Sequence, residues 1–120
     1  IYTSQSYWNA FPRSPQVLEL TFRNEDYVII DNHFKCCGDG IINQSDPTDE
    51  EFRRLTAVSL LKQYIDSLMS HKKVIVVGDL NDILTDAPSN NVFQTLIDGT
   101  ANYVFADMQI ALGNPTDFSY

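Results

Sequence analysis

The feature that most constrains the fold is a junction. A long helical pattern over residues 49–70 runs almost directly into the apolar run Val74-Ile75-Val76-Val77, which stops at Gly78-Asp79. Four consecutive β-branched residues without polar alternation predict a strand buried on both faces. The stretch before it carries a start signal and a stop signal. Thr48-Asp49-Glu50-Glu51 fits a capping box, with Thr48 as N-cap and Glu51 reaching back. Leu55, Val58, Leu61, Tyr64, Ile65 and Leu68 follow at helical spacing, and His71, Lys72 and Lys73 supply cations near the helix end. A helix delivered into a buried strand points to an α/β layout.

The remaining segments extend that layout. Residues 17–22 alternate, with Leu18, Leu20 and Phe22 on one face and Glu19 and Thr21 on the other, as in a half-buried strand. Asn24-Glu25-Asp26 reads as a turn, and residues 27–32 as a second strand paired antiparallel with the first. Residues 36–48, rich in Gly, Asp, Asn and Pro, read as a long loop. After Pro88-Ser89 a shorter helix is expected over 91–97, closed near Gly99. Residues 103–106 read as a short strand or turn, 107–112 as one helical turn, 113–115 as a turn and 116–120 as a strand. The expected class is α/β (α+β), a mixed sheet covered by helices.

Charge excludes one class of function. Eight Lys and Arg against sixteen Asp and Glu give a net charge of −8. A passive nucleic-acid binder would carry a basic stripe instead. An enzyme that meets phosphate through a divalent cation remains compatible with this charge. No apolar run is long enough to span a bilayer, and no signal peptide opens at Ile1. The missing initiator Met points to a piece of something longer.

Three segments carry chemistry. Gly78-Asp79-Leu80-Asn81-Asp82 follows the buried strand, where side chains released at a strand's carboxyl end line a ligand crevice. Asp79 and Asn81 are two apart and on an extended backbone point the same way. Together a carboxylate and an amide can hold a metal-bound water and a phosphate oxygen. Asp31-Asn32-His33-Phe34-Lys35 ends another strand, with His33 suited to protonating or stabilising phosphate oxygens and Lys35 on the same side. In Phe11-Pro12-Arg13-Ser14-Pro15, prolines on both sides pre-set the backbone around one guanidinium suited to bidentate phosphate contact. Each alone is also what an ordinary turn, a surface His or a loop Arg shows. Their order and spacing together carry the reading.

In these elements the chain resembles the endonuclease/exonuclease/phosphatase superfamily, the DNase I-like fold. The matching residues are Arg13 and Pro15, Asn32-His33-Phe34-Lys35, and Gly78-Asp79-Leu80-Asn81-Asp82. Arg53 and Arg54 in the preceding helix, Phe105-Ala106-Asp107, and Pro115-Thr116 with Ser119-Tyr120 match its layout too. The resemblance implies part of a two-sheet β-sandwich flanked by helices, with the site at one end of the sheets. It implies a Mg²⁺- or Mn²⁺-dependent phosphoesterase hydrolysing phosphodiester bonds, most readily a nuclease. Sphingomyelinase-like and phosphoinositide phosphatase-type enzymes share the superfamily, and fold does not decide among them. By resemblance, Asp79 orients the attacking water, Asn81 binds the scissile phosphate, and both contribute to the metal site. His33 stabilises the phosphoryl group, and Arg13, Asn32 and Lys35 contact substrate phosphate. The family's early Asn, its metal-binding Glu and its closing Ser-Asp-His segment find no match. Residues 1–120 are therefore expected to be the central-to-late part of a larger catalytic domain, inactive alone. A non-catalytic binding fragment of the same fold is the reading from another class.

Cys36-Cys37 are adjacent. A vicinal bridge needs a distorted ring, and free thiols or a pairing with cysteines outside the chain stand beside it. A bridge in a secreted or periplasmic protein is the expectation. Asp39, Asn43, Asp46 and Asp49 offer oxygens to Ca²⁺ without EF-hand spacing, so a solvated insertion is the competing reading. Tyr7 and Trp8 can stack on a base or pack on the sheet.

Overall fold

The computed structural model describes residues 10–114 and 116. Tyr7, Trp8 and, apart from Thr116, the strand expected at 116–120 lie outside them. The described residues form a small mixed α+β domain. Its elements run β1 (Gln16–Phe22), β2 (Glu25–His33), α1 (Glu50–Leu68), β3 (Lys73–Asp79), α2 (Gln94–Ile97) and α3 (Met108–Ala111). They build one three-stranded sheet in the order β1-β2-β3. β1 pairs antiparallel with β2, and β2 pairs parallel with β3 through the α1 crossover. Among the described residues no helix is long and apolar enough to cross a membrane.

The hairpin closes through Arg23 and Asn24, whose φ angles are 51° and 62°. Two left-handed residues make the turn whose twist matches the flanking strands. The turn therefore sits one residue earlier than Asn24-Glu25-Asp26 suggests, and Glu25 and Asp26 join β2.

The helix starts one residue later than the capping box implies. Asp49, not Thr48, caps it by accepting the Phe52 amide at 2.7 Å. Thr48 instead donates to Asp46 within the loop. Glu51 does not reach back to the cap; it is buried and paired with Arg54. Ala57, Val58 and Leu61 bury the helix face, whereas Leu68, expected on it, is exposed. The helix ends at Leu68, so His71, Lys72 and Lys73 lie beyond it. Lys72 pairs with Glu19, and Lys73 opens β3 and pairs with Glu25.

Alternation along β2 decides which face is covered. Val28, Ile30, Asn32 and then Phe34 point into the core beneath α1. Tyr27, Ile29, Asp31 and His33 occupy the opposite face. In register beside them stand Lys73, Ile75, Val77 and Asp79 of β3. Ile75 and Val77 are exposed, so β3 is covered on one face only, not on both. β1 is an exposed edge strand rather than a half-buried one; Leu18 and Phe22 are open to solvent. The apolar run was real, but no second layer among the described residues packs on its other side. Residues 103–106 form no strand. Phe105 instead packs edge-on against the buried Phe93, 5.8 Å between centroids.

Candidate functional site

The site is assembled where β2 and β3 end side by side. His33 and Asp79 are register partners in parallel strands, so their side chains leave the same face. The pairing continues past the strands: the Phe34 amide donates to the Asp79 carbonyl at 3.0 Å. Asn81 then donates its side-chain amide to the Phe34 carbonyl at 3.2 Å. These two bonds tie segment 33–35 to segment 79–81.

Gly78 makes that approach feasible. Its φ is 119°, and a Cβ there would lie 1.9 Å from the Asn32 carbonyl oxygen. Only glycine allows the two strand ends to close to this distance. Beyond Asp79 the chain turns sharply rather than staying extended. Asn81 has φ 52°, and its amide donates to Asp79 Oδ1 at 3.1 Å. The premise that Asp79 and Asn81 project alike from an extended backbone therefore fails. A left-handed turn, which Asn tolerates, links them instead.

A cleft of about 290 Å³ opens here, lined by Pro12, Arg13, His33, Phe34, Lys35 and Cys36. Phe11 packs edge-on against Phe34, 6.1 Å between centroids, and so brings the Pro12-Arg13 segment to the strand ends. Arg13, His33 and Lys35, drawn from separate parts of the sequence, thus share one wall. Lys35 is held by the Cys36 carbonyl at 3.0 Å and lies 3.6 Å from Glu50. Asn32 is not part of this wall. It lies on the helix-covered face, 3% exposed, donating to the Ile30 carbonyl at 3.2 Å. Its Oδ1 is buried and finds no hydrogen-bond partner among the described residues.

The residue that sequence reasoning underrated is Arg54. Buried in the first half of α1, it binds Asp82 at 2.6 Å and Glu51 at 3.1 Å. Its guanidinium also donates to the carbonyls of Lys35 and Cys37, both at 2.8 Å. One side chain thereby fixes the far end of the cleft loop and the Asp82 end of the second segment. Asp82 is thus an anchor for the turn rather than a group facing substrate. The signal was present in the sequence as Glu51 and Arg54 at i and i+3, a spacing that brings helical side chains together.

The cation question divides. Asp79 is exposed and Asn81 is half-buried beside it. A carboxylate and an amide oxygen are hard donors suited to Mg²⁺ or Mn²⁺. Yet among the described residues no group of three or more His, Cys, Asp or Glu comes together to hold a metal. Asp79 and Asn81 are a partial ligand set at most. The loop carboxylates considered for Ca²⁺ are turned to local work. Asp39 accepts the Ile41 amide at 3.0 Å, and Asp46 accepts the Thr48 amide at 2.8 Å. Asp49 accepts both Phe52 and Asn43 amides. Asp46 is held below the usual carboxylate range by its bonds from Thr48.

Cys36 and Cys37 are both exposed thiols, their sulfurs 3.0 Å apart, with Cys37 donating. That bond, aided by the Lys35 charge, draws the Cys36 thiol below its ordinary value. The Cys37 thiol is raised by the same contact. No known family, no characterised protein and no solved structure matches the chain.

Proposed function

We propose that the chain carries the phosphate-handling part of a metal-dependent phosphoesterase, acting on phosphodiesters and most readily on nucleic acid. The observation that supports it is the shared wall of Arg13, His33 and Lys35 beside Asp79, from three segments that the sequence alone set apart. A wall with two permanent cations and one imidazole is suited to a phosphate dianion or diester.

Arg13 and Lys35 fix the phosphate and offset its charge. His33 stands on the same face as Asp79 and can donate a proton to a phosphoryl oxygen. Asp79, its Oδ1 already engaged by the Asn81 amide, is placed to orient a water. A divalent cation bound with Asp79 and Asn81 would polarise the phosphate and that water. The rest of its ligands, and the second sheet of a DNase I-like sandwich, come in this reading from outside the described residues. Asn32 supports the wall from behind rather than touching substrate.

Binding and hydrolysis are tested separately. Inorganic phosphate and a dinucleotide, titrated into this chain by NMR, should shift the amides of residues 33–36, and Arg13→Ala should abolish the shift. Plasmid DNA, RNA, sphingomyelin, a phosphoinositide and a simple phosphodiester are then offered to the chain extended by its flanking sequence. Cleavage should require Mg²⁺ and stop with EDTA. Asp79→Ala, Asn81→Ala and His33→Ala should each lower kcat about a hundredfold or more. Wild-type rates in all three variants defeat the site. Binding without cleavage of any substrate favours the second reading, a non-catalytic phosphate-binding module, whose support is the incomplete ligand set around Asp79.

A further inference from the structure

The cleft has a second chemical property that phosphate chemistry does not use. Its wall ends in a thiol. Cys36 lines the cleft together with Arg13, His33 and Lys35. The Cys36 sulfur receives the Cys37 S–H at 3.0 Å and lies 3.9 Å from the Lys35 ammonium. Both neighbours favour negative charge on sulfur, one by hydrogen bonding and one by Coulomb attraction. Glu50, 3.6 Å from Lys35, partly offsets that cation but leaves its hydrogen bond to the Cys36 carbonyl in place.

The backbone around the pair is pinned. Arg54 holds the carbonyls of Lys35 and Cys37, on either side of Cys36. Cys37 itself has φ 72° and is followed by Gly38 at φ 109°. These left-handed turns keep both thiols at the surface, where both are exposed. An exposed, charge-stabilised sulfur beside a cationic wall has the two attributes of a reactive cysteine, thiolate character and access.

We propose that Cys36 is a thiol–disulfide exchange site, which takes anionic low-molecular-weight disulfides through the cleft walled by Arg13 and Lys35. The Cys36 thiolate attacks one sulfur of the disulfide. A new sulfur–sulfur bond forms at Cys36, the reagent's own sulfur–sulfur bond breaks, and its other half leaves as a thiolate. The proton lost from Cys36 goes to solvent. Cys37 is the positioning residue, because its S–H stabilises the attacking sulfur. The adduct's acidic half lies along Arg13 and Lys35, so the modified protein has its cleft filled. This needs only the cationic wall and holds whether or not the cleft serves a phosphate ester.

The experiment compares two chromogenic disulfides on the intact chain: dianionic 5,5′-dithiobis(2-nitrobenzoate) and neutral 4,4′-dithiodipyridine. The Cys36→Ser chain, which keeps Cys37 as an ordinary exposed thiol, is the internal reference. With the anionic reagent, wild type should react about tenfold faster or more than Cys36→Ser, the range expected of electrostatic attraction. That excess should shrink with the neutral reagent, and again in roughly 1 M salt, where the Debye length is only about 3 Å. Cys37→Ala should slow the remaining thiol, because the S–H donor is lost. Peptide mapping of partly labelled wild type should find the label on Cys36 first, which needs no variant to fold. Equal rates for the two single-cysteine chains with both reagents would overturn the proposal. So would first labelling at Cys37, or an anionic preference that salt leaves unchanged.

Discussion

Val28 and Ile30 are 0% and 1% exposed, whereas Ile75 and Val77, in the adjacent strand on the opposite face, are 46% and 42% exposed. All four are β-branched, Val28 and Ile30 in the central strand β2 and Ile75 and Val77 in its parallel neighbour β3. What separates them is the layer above. Ala57, Val58 and Leu61 of α1 close over the first face. The second face carries a shallow apolar groove of about 150 Å³ between Leu20, Phe22, Tyr27, Ile29 and Ile75. Strand formation follows from the side chains, but burial follows from what packs across them.

The covered face also holds the ion network, and breaking it should have the largest effect. Glu51 and Asp82 sit with Arg54 out of water, their side chains 2% and 6% exposed. Arg54→Met keeps roughly the same volume and removes the cation that stands between them. Two buried carboxylates then lose their partner, a change that typically costs about 3–5 kcal/mol. Urea denaturation should show it as a lowered midpoint. A cost below about 1 kcal/mol would mean that water reaches these carboxylates and that the covered face is less dry than the packing implies.

The next test compares the faces directly. Ile30→Ala opens a cavity beneath α1 and should cost about 2–5 kcal/mol. Ile75→Ala removes a side chain already half in water and should cost about 1 kcal/mol or less. Equal costs would show that the open face is covered in solution.

Gly78→Ala tests the strand ends where the faces meet the site. The added Cβ would fall 1.9 Å from the Asn32 carbonyl at a φ of 119°. Backbone strain of this kind costs about 1–3 kcal/mol. Prising β3 from β2 there should also weaken phosphate binding at His33, as read by the same NMR titration. Unchanged stability and binding would remove Gly78 from the site's design.

These particulars explain how much was legible in the sequence. The hairpin, α1 and β3 followed from periodicity and punctuation, because those signals are local. The meeting of Arg13, His33 and Lys35 along one cleft did not follow in this way, since nothing local links Arg13 to residue 33. The burial of β3 did not follow. A continuous apolar run reports what a strand can bury, and the covering layer is a non-local fact. The face of Asn32 was hidden for a related reason. Alternation from Val28 and Ile30 places it inward, but its polarity invited an outward role. The turn at Asn81 was missed because period-two reasoning assumes that the strand continues past Asp79. Arg54 was visible as a spacing with Glu51, while its bonds to the Lys35 and Cys37 carbonyls depend on tertiary contact.

The smallest effect concerns the ion pairs of the open face, the counterpart of the Arg54 network. Glu25 and Lys73 meet at 2.5 Å at the far end of that face from His33, with Lys73 also 5.6 Å above the Tyr27 ring. The hydrogen bond from Lys73, then that from Tyr27, lowers the Glu25 carboxyl below its ordinary 4.5. The same bond raises Lys73 above its ordinary 10.5. A carboxyl lowered on folding stabilises the fold above its ordinary value, and that support is lost as pH falls through the lowered value. An ammonium raised on folding stabilises below its ordinary value, and that support is lost as pH rises through the raised one. Stability from this pair should therefore be level between pH 4.5 and 10.5 and should decline on both sides. Both groups are solvated, so the declines should be shallow and should flatten further in salt. Lys73→Met should reduce both together, whereas it should leave the contribution of the Arg54 network intact. Urea midpoints measured across pH for the two chains decide it. Identical pH profiles would show that the open face gains nothing from its ion pair.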